Sequence, residues 1–480
     1  MNRLDELRRL CAEPLPGAAA LRADGELILD WLLRHHATLP EQHVGRPASR
    51  ADMEAVLGAP FPETGQPLTE VLADFADKVA PFACRINHPR FLAFIPSAPT
   101  FVSVLGDFLA AGVNYFAGVW LEAAGPAQVE LAVLDWFRDV LGLPPGTSGV
   151  LTGGGSEANL TALVVAREPL SEDERRRAVL YVTDQRHWSV DRAAKVMGLR
   201  ADQVRPVHAG ADFRLDVAAL RSAVSADRAA GRRPWALVAN AGATNTGTVD
   251  PLAEIADVCA AEGLWLHVDG AYGWAAALTD AGRRELAGIE RADSVTLDPH
   301  KWLAQPFECG CVLVREGVRL AKTFALRPDY LQDVTPDEAG EVNFADHGIA
   351  LTRRFRALKV WLSLRVLGVG WYRRLIERCV RLADLAEALL REAGFQVLSP
   401  RRLSVVCYRH VPASLAGDEA ALDRHNLALV DAVRATGRAF LSSTRLSGRV
   451  ALRFCFVNWR TTTADVEEVV RLLGETGATV

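Results

Sequence analysis

The chain has 480 residues, of which 50% are hydrophobic and 24% are charged, and its net charge is −5 at pH 7. This composition is typical of a large globular core, and the lack of a sustained basic run argues against a nucleic-acid partner. The eight cysteines are scattered, and only Cys309 and Cys311 lie close together, which favours buried thiols and no metal site. The charged N-terminus lacks the apolar core of a signal peptide, so we expect a cytoplasmic protein.

Residues 1–86 have a mainly helical pattern, which prolines between positions 60 and 67 interrupt. The segment carries apolar side chains such as Leu29, Trp31 and Leu32, but it is short for a core of its own. We therefore predict that 1–86 is an N-terminal helical segment used for dimerisation.

The most apolar region is Phe91–Leu121, which contains prolines and Asp107. These interruptions are unfavourable in a bilayer-spanning helix, so the sequence predicts buried protein core and no membrane partner. Farther along, apolar residues recur at helical spacing over Val129–Leu141, and Gly142 ends the predicted helix.

Beyond this helix, short apolar runs alternate with helical stretches. The predicted strands are Val179–Thr183, Trp235–Asn240, Leu264–Asp269, Ser294–Asp298 and Cys309–Arg315, followed later by Leu403–His410 and Val450–Val457. Asp250 and Pro251 predict the start of one intervening helix, as N-cap and first helical residue, and Gly263 predicts its end. The alternation predicts an α/β fold, with a mainly parallel sheet covered by helices on both faces in a large domain, 87–355, and a smaller C-terminal α/β domain, 356–480.

Two charged residues follow predicted buried strands. Lys301 comes after the strand in SVTLDPHKWL, where it is either a surface lysine on a loop or a nucleophilic amine that forms a Schiff base. Asp269 ends the apolar run LWLHVD, where a carboxylate needs a cationic partner, either an arginine or a protonated pyridine nitrogen. For each residue alone, the ordinary structural interpretation is the better one.

Three further motifs carry polar groups suited to a binding site. In LTGGGSEANL, Gly155 and Ser156 open a helix, which indicates either a serine-capped helix or a phosphate site at the helix N-terminus. The spacing matches neither the Walker A motif nor the Rossmann fingerprint. His187, in VTDQRHWSVDRA, could stack on a flat ring or bind a metal, but no second ligand lies at metal-site spacing. Thr244, in NAGATNTGTVDP, offers a small hydroxyl beside a cofactor.

Together, the glycine turn, histidine, aspartate and lysine occur in an order and spacing similar to those of fold-type-I pyridoxal-phosphate enzymes. The segments HPRFLAFIPS, DWFRDVLGLP, GGGSEANL, TDQRHWSVDRA, LWLHVDGAY, DPHKW and RRFRALKVW resemble landmarks of the group II pyridoxal-phosphate-dependent amino-acid decarboxylases, above all the aromatic-L-amino-acid branch. The resemblance runs from about Asn87 to Thr463. It implies pyridoxal 5'-phosphate as cofactor, the fold-type-I transferase fold, and a homodimer with its active site at the subunit interface.

The resemblance also implies a role for individual residues. Those assigned to the cofactor are Gly155, Ser156, His187, Thr244, Asp269, Asp298, His300 and Lys301. Lys301 would form the Schiff base, Asp269 would pair with the pyridine nitrogen, and His187 would stack on the ring. Asp298 stands where the branch often has an asparagine near the phosphate, and a carboxylate there should repel the phosphate.

The predicted substrate pocket is mainly apolar. Its candidates are Ile86, Ile95, Pro96, Ser97, Phe116 and Trp188. This character favours an aromatic or hydrophobic amino acid over glutamate. Trp188 stands where the branch usually has a small residue, so we expect a reshaped pocket.

A polar, acidic segment, Val334–His347, is expected to be the mobile lid of the family. In the aromatic branch a lid tyrosine donates the proton to Cα after decarboxylation, and ungapped alignment from RRFR places Phe344 there. The catalytic candidates are therefore Lys301, His187, Asp269 and Phe344. The predicted reaction is decarboxylation of an L-amino acid, preferably aromatic, through a Lys301 Schiff base and a quinonoid. Because Phe344 cannot donate a proton, an aromatic aldehyde synthase, which also deaminates oxidatively, is the alternative.

Overall fold

The computed structural model describes residues 3–10, 18–326 and 340–480. The chain divides into two compact units, Met1–His88 and Pro89–Val480. The helices are α1 (Arg3–Leu10), α2 (Ala18–Thr38), α3 (Arg50–Leu57), α4 (Leu68–Asp74), α5 (Phe101–Val113), α6 (Trp120–Leu141), α7 (Gly155–Arg167), α8 (Glu172–Arg177), α9 (Trp188–Val196), α10 (Val217–Ala229), α11 (Leu252–Glu262), α12 (Asp280–Glu285), α13 (Val318–Phe324), α14 (Ala357–Leu367), α15 (Val369–Glu392), α16 (Glu419–Ala435) and α17 (Thr463–Gly477). The strands are β1 (Ser148–Thr152), β2 (Ala178–Thr183), β3 (Val204–Val207), β4 (Arg233–Asn240), β5 (Trp265–Asp269), β6 (Ser294–Leu297), β7 (Gly310–Val314), β8 (Gln396–Val397), β9 (Val405–Arg409), β10 (Ser442–Leu446) and β11 (Arg449–Cys455).

The N-terminal unit is helical, and the proline-rich stretch separates α3 from α4 as the sequence predicts. Ser49 caps α3 because its side chain accepts the N–H of Asp52, whose carboxylate accepts the N–H of Ser49 in return. The longest helix of the unit, α2, buries none of its residues, and Leu29 and Leu33 are exposed. The unit therefore leaves a long apolar helix face open to solvent.

The larger unit is built on a seven-stranded sheet of order β1-β7-β6-β5-β4-β2-β3. Strands β2 to β6 pair in parallel, and β7 is antiparallel to both of its neighbours. The central strands are buried on both faces, which is why they appear as unbroken apolar runs in the sequence. The predicted α/β fold class, the fold-type-I fold, is confirmed. The sequence patterns did not reveal β1, or β3, which contains a proline and is partly exposed.

A second sheet, of order β10-β11-β9-β8, is antiparallel throughout and lies in the C-terminal part of the chain. Helices α15 and α16 pack on it, and α17 packs on both helices. The two strands predicted there, Leu403–His410 and Val450–Val457, correspond to β9 and β11.

The start of α11 differs from the prediction. Pro251 occupies the N-cap and no side chain caps the helix, while Gly263 ends it with a φ of 62° as expected. The Asp250 carboxylate instead accepts the N–H groups of Asn240 and Leu215, at 2.7 and 2.8 Å. Burial raises the pKa of Asp250 to about 6. Asp250 therefore joins the end of β4 to a neighbouring loop and does not cap the helix.

The apolar region Phe91–Leu121 is only partly core, which corrects the expectation of full burial. On α5, Ser103 and Ala110 are buried, whereas Phe108 is 72% exposed and Leu109 is 50% exposed. The apolar pattern of α5 continues around a face that the described residues leave exposed. Within the described ranges, no helix is long and apolar enough to cross a membrane.

Candidate active site

The polar residues that follow β1, β2, β4, β5 and β6 meet at one edge of the large sheet, because the carboxyl ends of parallel strands share an edge. They enclose a cavity of about 430 Å³, called here the cofactor cavity. Its lining includes Gly153, Gly154, Gly155, Ser156, Asn159, His187, Ser189, Asn240, Thr244, Asp269, Tyr272, Asp298, His300 and Lys301. The structure thus brings together all eight residues that the sequence assigned to the cofactor.

Asp269 lies at the end of β5 and is 7% exposed. Its Oδ1 accepts the N–H of Ala271 at 3.1 Å, and its Oδ2 accepts the side-chain amide of Asn159 at 2.9 Å. Within the described part of the chain, no lysine or arginine forms an ion pair with this carboxylate, which goes against the arginine alternative. A buried carboxylate without a paired lysine or arginine among the described residues fits a cationic ring nitrogen.

Lys301 stands on the turn after β6, with its Nζ 3.2 Å from Oδ2 of Asp298. Asp298 is buried, and its other oxygen, Oδ1, has no hydrogen-bond partner among the described residues. The Nδ1–H of His300 donates to the carbonyl of Cys309 at 2.8 Å, which leaves Nε2 toward Asp298 at 3.8 Å. Asp298 is thus placed as the counter-ion of Lys301.

The glycine turn between β1 and α7 forms a cradle that a side chain would fill. A Cβ on Gly155 would lie 2.8 Å from Oδ2 of Asp298, and a Cβ on Gly310 would lie 2.5 Å from the Cα of Gly154. The first turn of α7 presents N–H groups toward this space beside the exposed Ser156. Glycine is needed here because backbone approaches backbone, and the free N–H groups suit a phosphate.

His187 is the N-cap of α9, and its ring lies on the boundary of the cofactor cavity. Its Nδ1 is 2.8 Å from the hydroxyl of Ser189 and accepts the Ser189 N–H at 3.3 Å. Burial lowers the pKa of His187, so the ring is neutral at physiological pH. A flat, neutral ring at this place is suited to stacking on an aromatic cofactor.

A second cavity, of about 550 Å³, adjoins the first and is called here the outer cavity. The two share His187, Thr244, His300 and Lys301. The remaining wall of the outer cavity is formed by Phe94, Ile95, Pro96, Gln185, Arg186, Trp188, Asn245 and Phe307. Three of the predicted pocket residues, Ile95, Pro96 and Trp188, therefore line the same cavity as Lys301.

Other sequence-predicted residues do not line either cavity. Ser97 is buried and its hydroxyl donates to the carbonyl of Val457 at 2.7 Å. Phe116 is half-buried, with its ring against Gly118. Ile86 is half-buried within the N-terminal unit.

Phe344 begins a short 3-10 helix, Phe344–His347, and is only 1% exposed. The guanidinium of Arg353 lies 5.0 Å from the centre of its ring, and Arg353 pairs in turn with the buried Glu130 at 2.6 Å. The predicted lid lies in part outside the described residues. Where it is described, Phe344 packs against its own chain and does not reach the cavities.

The predicted site residues did not include Asn159, which bonds to Asp269, Ser189, which bonds to His187, or His267, which bonds to Asn159. A signal was present for His267, which is a polar residue within the apolar run LWLHVD. Buried polar side chains require partners and so point to a hydrogen-bonded network.

A mainly parallel sheet with a glycine turn, a strand-end aspartate and a strand-end lysine around one cavity defines a fold-type-I pyridoxal-phosphate enzyme. The sequence model of the pyridoxal-dependent decarboxylase conserved domain matches residues 51–411, and the chain belongs to this family. The protein is accordingly a carboxy-lyase, and its cofactor is pyridoxal 5'-phosphate.

Individual relatives cover nearly the whole chain. The sequence is 40% identical to an aromatic-L-amino-acid decarboxylase of Bacillus atrophaeus over 454 residues, 94% of each chain. It is 30% identical to a phenylacetaldehyde synthase of Arabidopsis thaliana, with 95% of each chain covered. The crystal structure of Oryza sativa TDC with PLP and tryptamine superposes with a TM-score of 0.93 at 29% identity, over 98% of this chain and 99% of that one.

Proposed function

We propose that this enzyme removes the α-carboxylate of an aromatic L-amino acid and releases the amine. The observation that carries the proposal is the junction of the two cavities at Lys301: a polar cavity with a strand-end carboxylate opens into one walled by Phe94, Trp188 and Phe307. The polar side suits the cofactor, and the aromatic side suits an aromatic side chain. The relatives described above support the same substrate class.

When bound, the cofactor supplies an electron sink for the pair of electrons that the breaking Cα–carboxylate bond releases. Lys301 would attach the cofactor and return to it after each turnover. Asp269 would keep a proton on the ring nitrogen, and His187 would hold the ring flat from one face. The glycine turn and Ser156 would bind the phosphate at the N-terminus of α7.

We propose the amine as the product, and not the aldehyde. The relative at 40% identity is a decarboxylase, whereas the aldehyde synthase matches at 30%. Phe344 is buried beside Arg353, so its phenyl ring does not face the reacting carbon in this chain. Its lack of a hydroxyl is therefore a weak argument for oxidative chemistry.

We further propose that the working unit is a cytoplasmic homodimer and that residues 1–86 form part of its interface. The exposed apolar faces of α2 and α5 support the dimer, since isolated soluble chains seldom leave such surfaces uncovered. The seven described cysteines are all free thiols, which suits a reducing compartment. Light scattering at assay concentration should give twice the mass of one chain, and an active monomer would contradict the dimer.

The function is tested by incubating the PLP-loaded enzyme with phenylalanine, tyrosine, tryptophan and glutamate and identifying products by mass spectrometry. We expect carbon dioxide and an equal amount of amine from an aromatic substrate, and little from glutamate. A Lys301→Ala enzyme serves as the control for non-enzymatic loss. Aldehyde, ammonia and peroxide as the main products, or activity on glutamate alone, would contradict the proposal.

A further inference from the structure

A continuous row of buried hydrogen bonds runs under the cofactor cavity. The indole N–H of Trp265 donates to Oγ of Ser294 at 2.8 Å, and this oxygen lies 2.8 Å from Nδ1 of His267. The Nε2 of His267 lies 3.0 Å from Oδ1 of Asn159. The amide nitrogen of Asn159 then donates to Oδ2 of Asp269 and to Oγ of Ser189, both at 2.9 Å. Each of these side chains except Trp265 is buried.

The groups at the two ends of this row, the Trp265 indole and the Asp269 carboxylate, determine which atom is the donor in each hydrogen bond. An indole nitrogen can only donate, so Ser294 accepts from Trp265 and uses its own proton toward Nδ1 of His267. A carboxylate can only accept, so the NH₂ group of Asn159 must face Asp269, and its carbonyl oxygen must face His267. His267 is therefore the Nε2–H tautomer. Burial lowers the pKa of His267, which keeps the ring neutral with a single proton.

The hydrogen bonds of Ser189 also determine the tautomer of His187. Because Ser189 accepts from Asn159, its hydroxyl proton is free to point at Nδ1 of His187, 2.8 Å away. The Ser189 backbone N–H approaches the same nitrogen at 3.3 Å. Two donors on Nδ1 leave the proton of the neutral ring on Nε2.

We propose that Asn159 is a positioning residue that orients both the Asp269 carboxylate and, through Ser189, the His187 ring. The Asn159 amide nitrogen donates both to Asp269, which would pair with the ring nitrogen of the cofactor, and to Ser189, which bonds to His187. Loss of the amide would remove the donor to Oδ2 of Asp269 and to Oγ of Ser189. The Ser189 hydroxyl would then be free to rotate, and His187 could adopt either tautomer. The inference rests on the proposed function, because Asp269 and His187 matter only when the cofactor binds between them.

The test compares Asn159→Leu with wild type, since leucine keeps the approximate volume and removes the amide. We expect the dissociation constant for PLP to rise roughly 10- to 100-fold, in line with the loss of buried hydrogen bonds to a charged group. In the ¹⁵N NMR spectrum of histidine-labelled enzyme, His187 should change from one protonated Nε2 to a mixture of tautomers. The His187 signals are assigned with a His187→Gln variant.

A second variant, Ser189→Ala, removes the hydroxyl group that bonds to His187 and keeps the hydrogen bond from Asn159 to Asp269. It should alter the His187 spectrum while changing the PLP dissociation constant less than about threefold. It also keeps the inference testable if Asn159→Leu does not fold. The matched control is Asn426→Leu, since Asn426 is equally buried and bonds to His410 and Leu422, away from the cavity. This control should lower stability but leave PLP affinity and the His187 signals unchanged.

An unchanged PLP dissociation constant in folded Asn159→Leu, or an unchanged His187 spectrum in both variants, would overturn the inference. The spectra are recorded with and without PLP. Failure of the wild type to bind PLP would overturn the proposed function. In that case the inference is still tested, because the His187 tautomer is compared between the cofactor-free wild type and the two variants.

Discussion

The cofactor cavity and the outer cavity share Lys301, yet they are built differently. In the first, Asp269 is held by directed hydrogen bonds from buried groups and stands at the end of a rigid strand. In the second, Trp188 is 58% exposed and Phe307 is 55% exposed, and they come from loops and a helix start. One chain thus fixes the polar wall of the cofactor cavity with hydrogen bonds but leaves the aromatic wall of the outer cavity partly exposed. Changes in the first region should therefore affect chemistry, and changes in the second should affect substrate choice.

The largest effect is expected from Lys301→Ala. Without the amine, the cofactor can bind only noncovalently, and turnover should fall by at least about 10³-fold, as is usual when a covalent catalytic group is removed. Borohydride reduction of wild type followed by peptide mapping should find the cofactor on Lys301. A reduced adduct on another lysine would assign the role elsewhere.

Asp269→Ala should have the next largest effect. The ring nitrogen would lose the charge that keeps it protonated, and kcat should fall about 10²- to 10³-fold, typical of losing one preorganised electrostatic group. The fold should survive because the aspartate lies at the rim of a cavity and not in the apolar core. Near-normal turnover would show that another group supplies the charge, and circular dichroism provides the control for folding.

Acidification should destabilise the folded chain. Burial lowers the pKa of six histidines: His187, His267, His300, His347, His410 and His425. Because the unfolded chain then binds more protons than the folded chain, the stability they contribute is present above their unfolded pKa of about 6.5 and is lost as the pH falls below it. The Tm of the cofactor-free protein should drop between pH 7.5 and 5.5.

The decrease in Tm between pH 7.5 and 5.5 should be smaller in His187→Gln than in wild type. It should be unchanged in the control His208→Gln, because the His208 side chain is 90% exposed. A higher Tm at pH 5.5 than at pH 7.5 would contradict the sign of this linkage.

Trp188→Ala should change substrate preference and little else. The indole lies against the guanidinium of Arg192, 4.0 Å from its ring centre, in a largely exposed contact worth about 0.5–1 kcal/mol. We expect KM for aromatic substrates to change by up to about tenfold while kcat changes less, since the residue adjoins substrate and not the cofactor. A loss of kcat with unchanged KM would place Trp188 in the chemical step.

The smallest effect on chemistry is expected from Phe344→Tyr. The added hydroxyl would be buried beside Arg353 at a cost of about 1–3 kcal/mol in stability if it finds no partner. The ratio of amine to aldehyde, under air and under nitrogen, should stay the same. If wild type consumed oxygen and the tyrosine variant did not, Phe344 would govern the fate of the product after all.

The sequence patterns predicted the α/β fold class, and the resemblance to the decarboxylase family implied the cofactor. Central strands that are buried on both faces leave long apolar runs, and the polar residues that follow them must lie at one edge of a parallel sheet. That rule indicated that His187, Asp269 and Lys301 lie close together, and the family resemblance added Gly155, which follows a strand that the patterns did not reveal.

Only the tertiary structure decided which side chains face those residues. Asn159 is one turn into a helix and His267 is two residues from a strand end, and nothing in their local pattern shows that Asn159 bonds to Asp269 and His267 to Asn159. Likewise, the apolar run Phe91–Leu121 predicted buried core and the alignment from RRFR placed Phe344 at the position of the lid tyrosine, whereas the folded chain exposes Phe108 and buries Phe344. The physical reason is that periodicity specifies which side of an element is apolar, while the partner that covers that side is set by packing between segments distant in the chain.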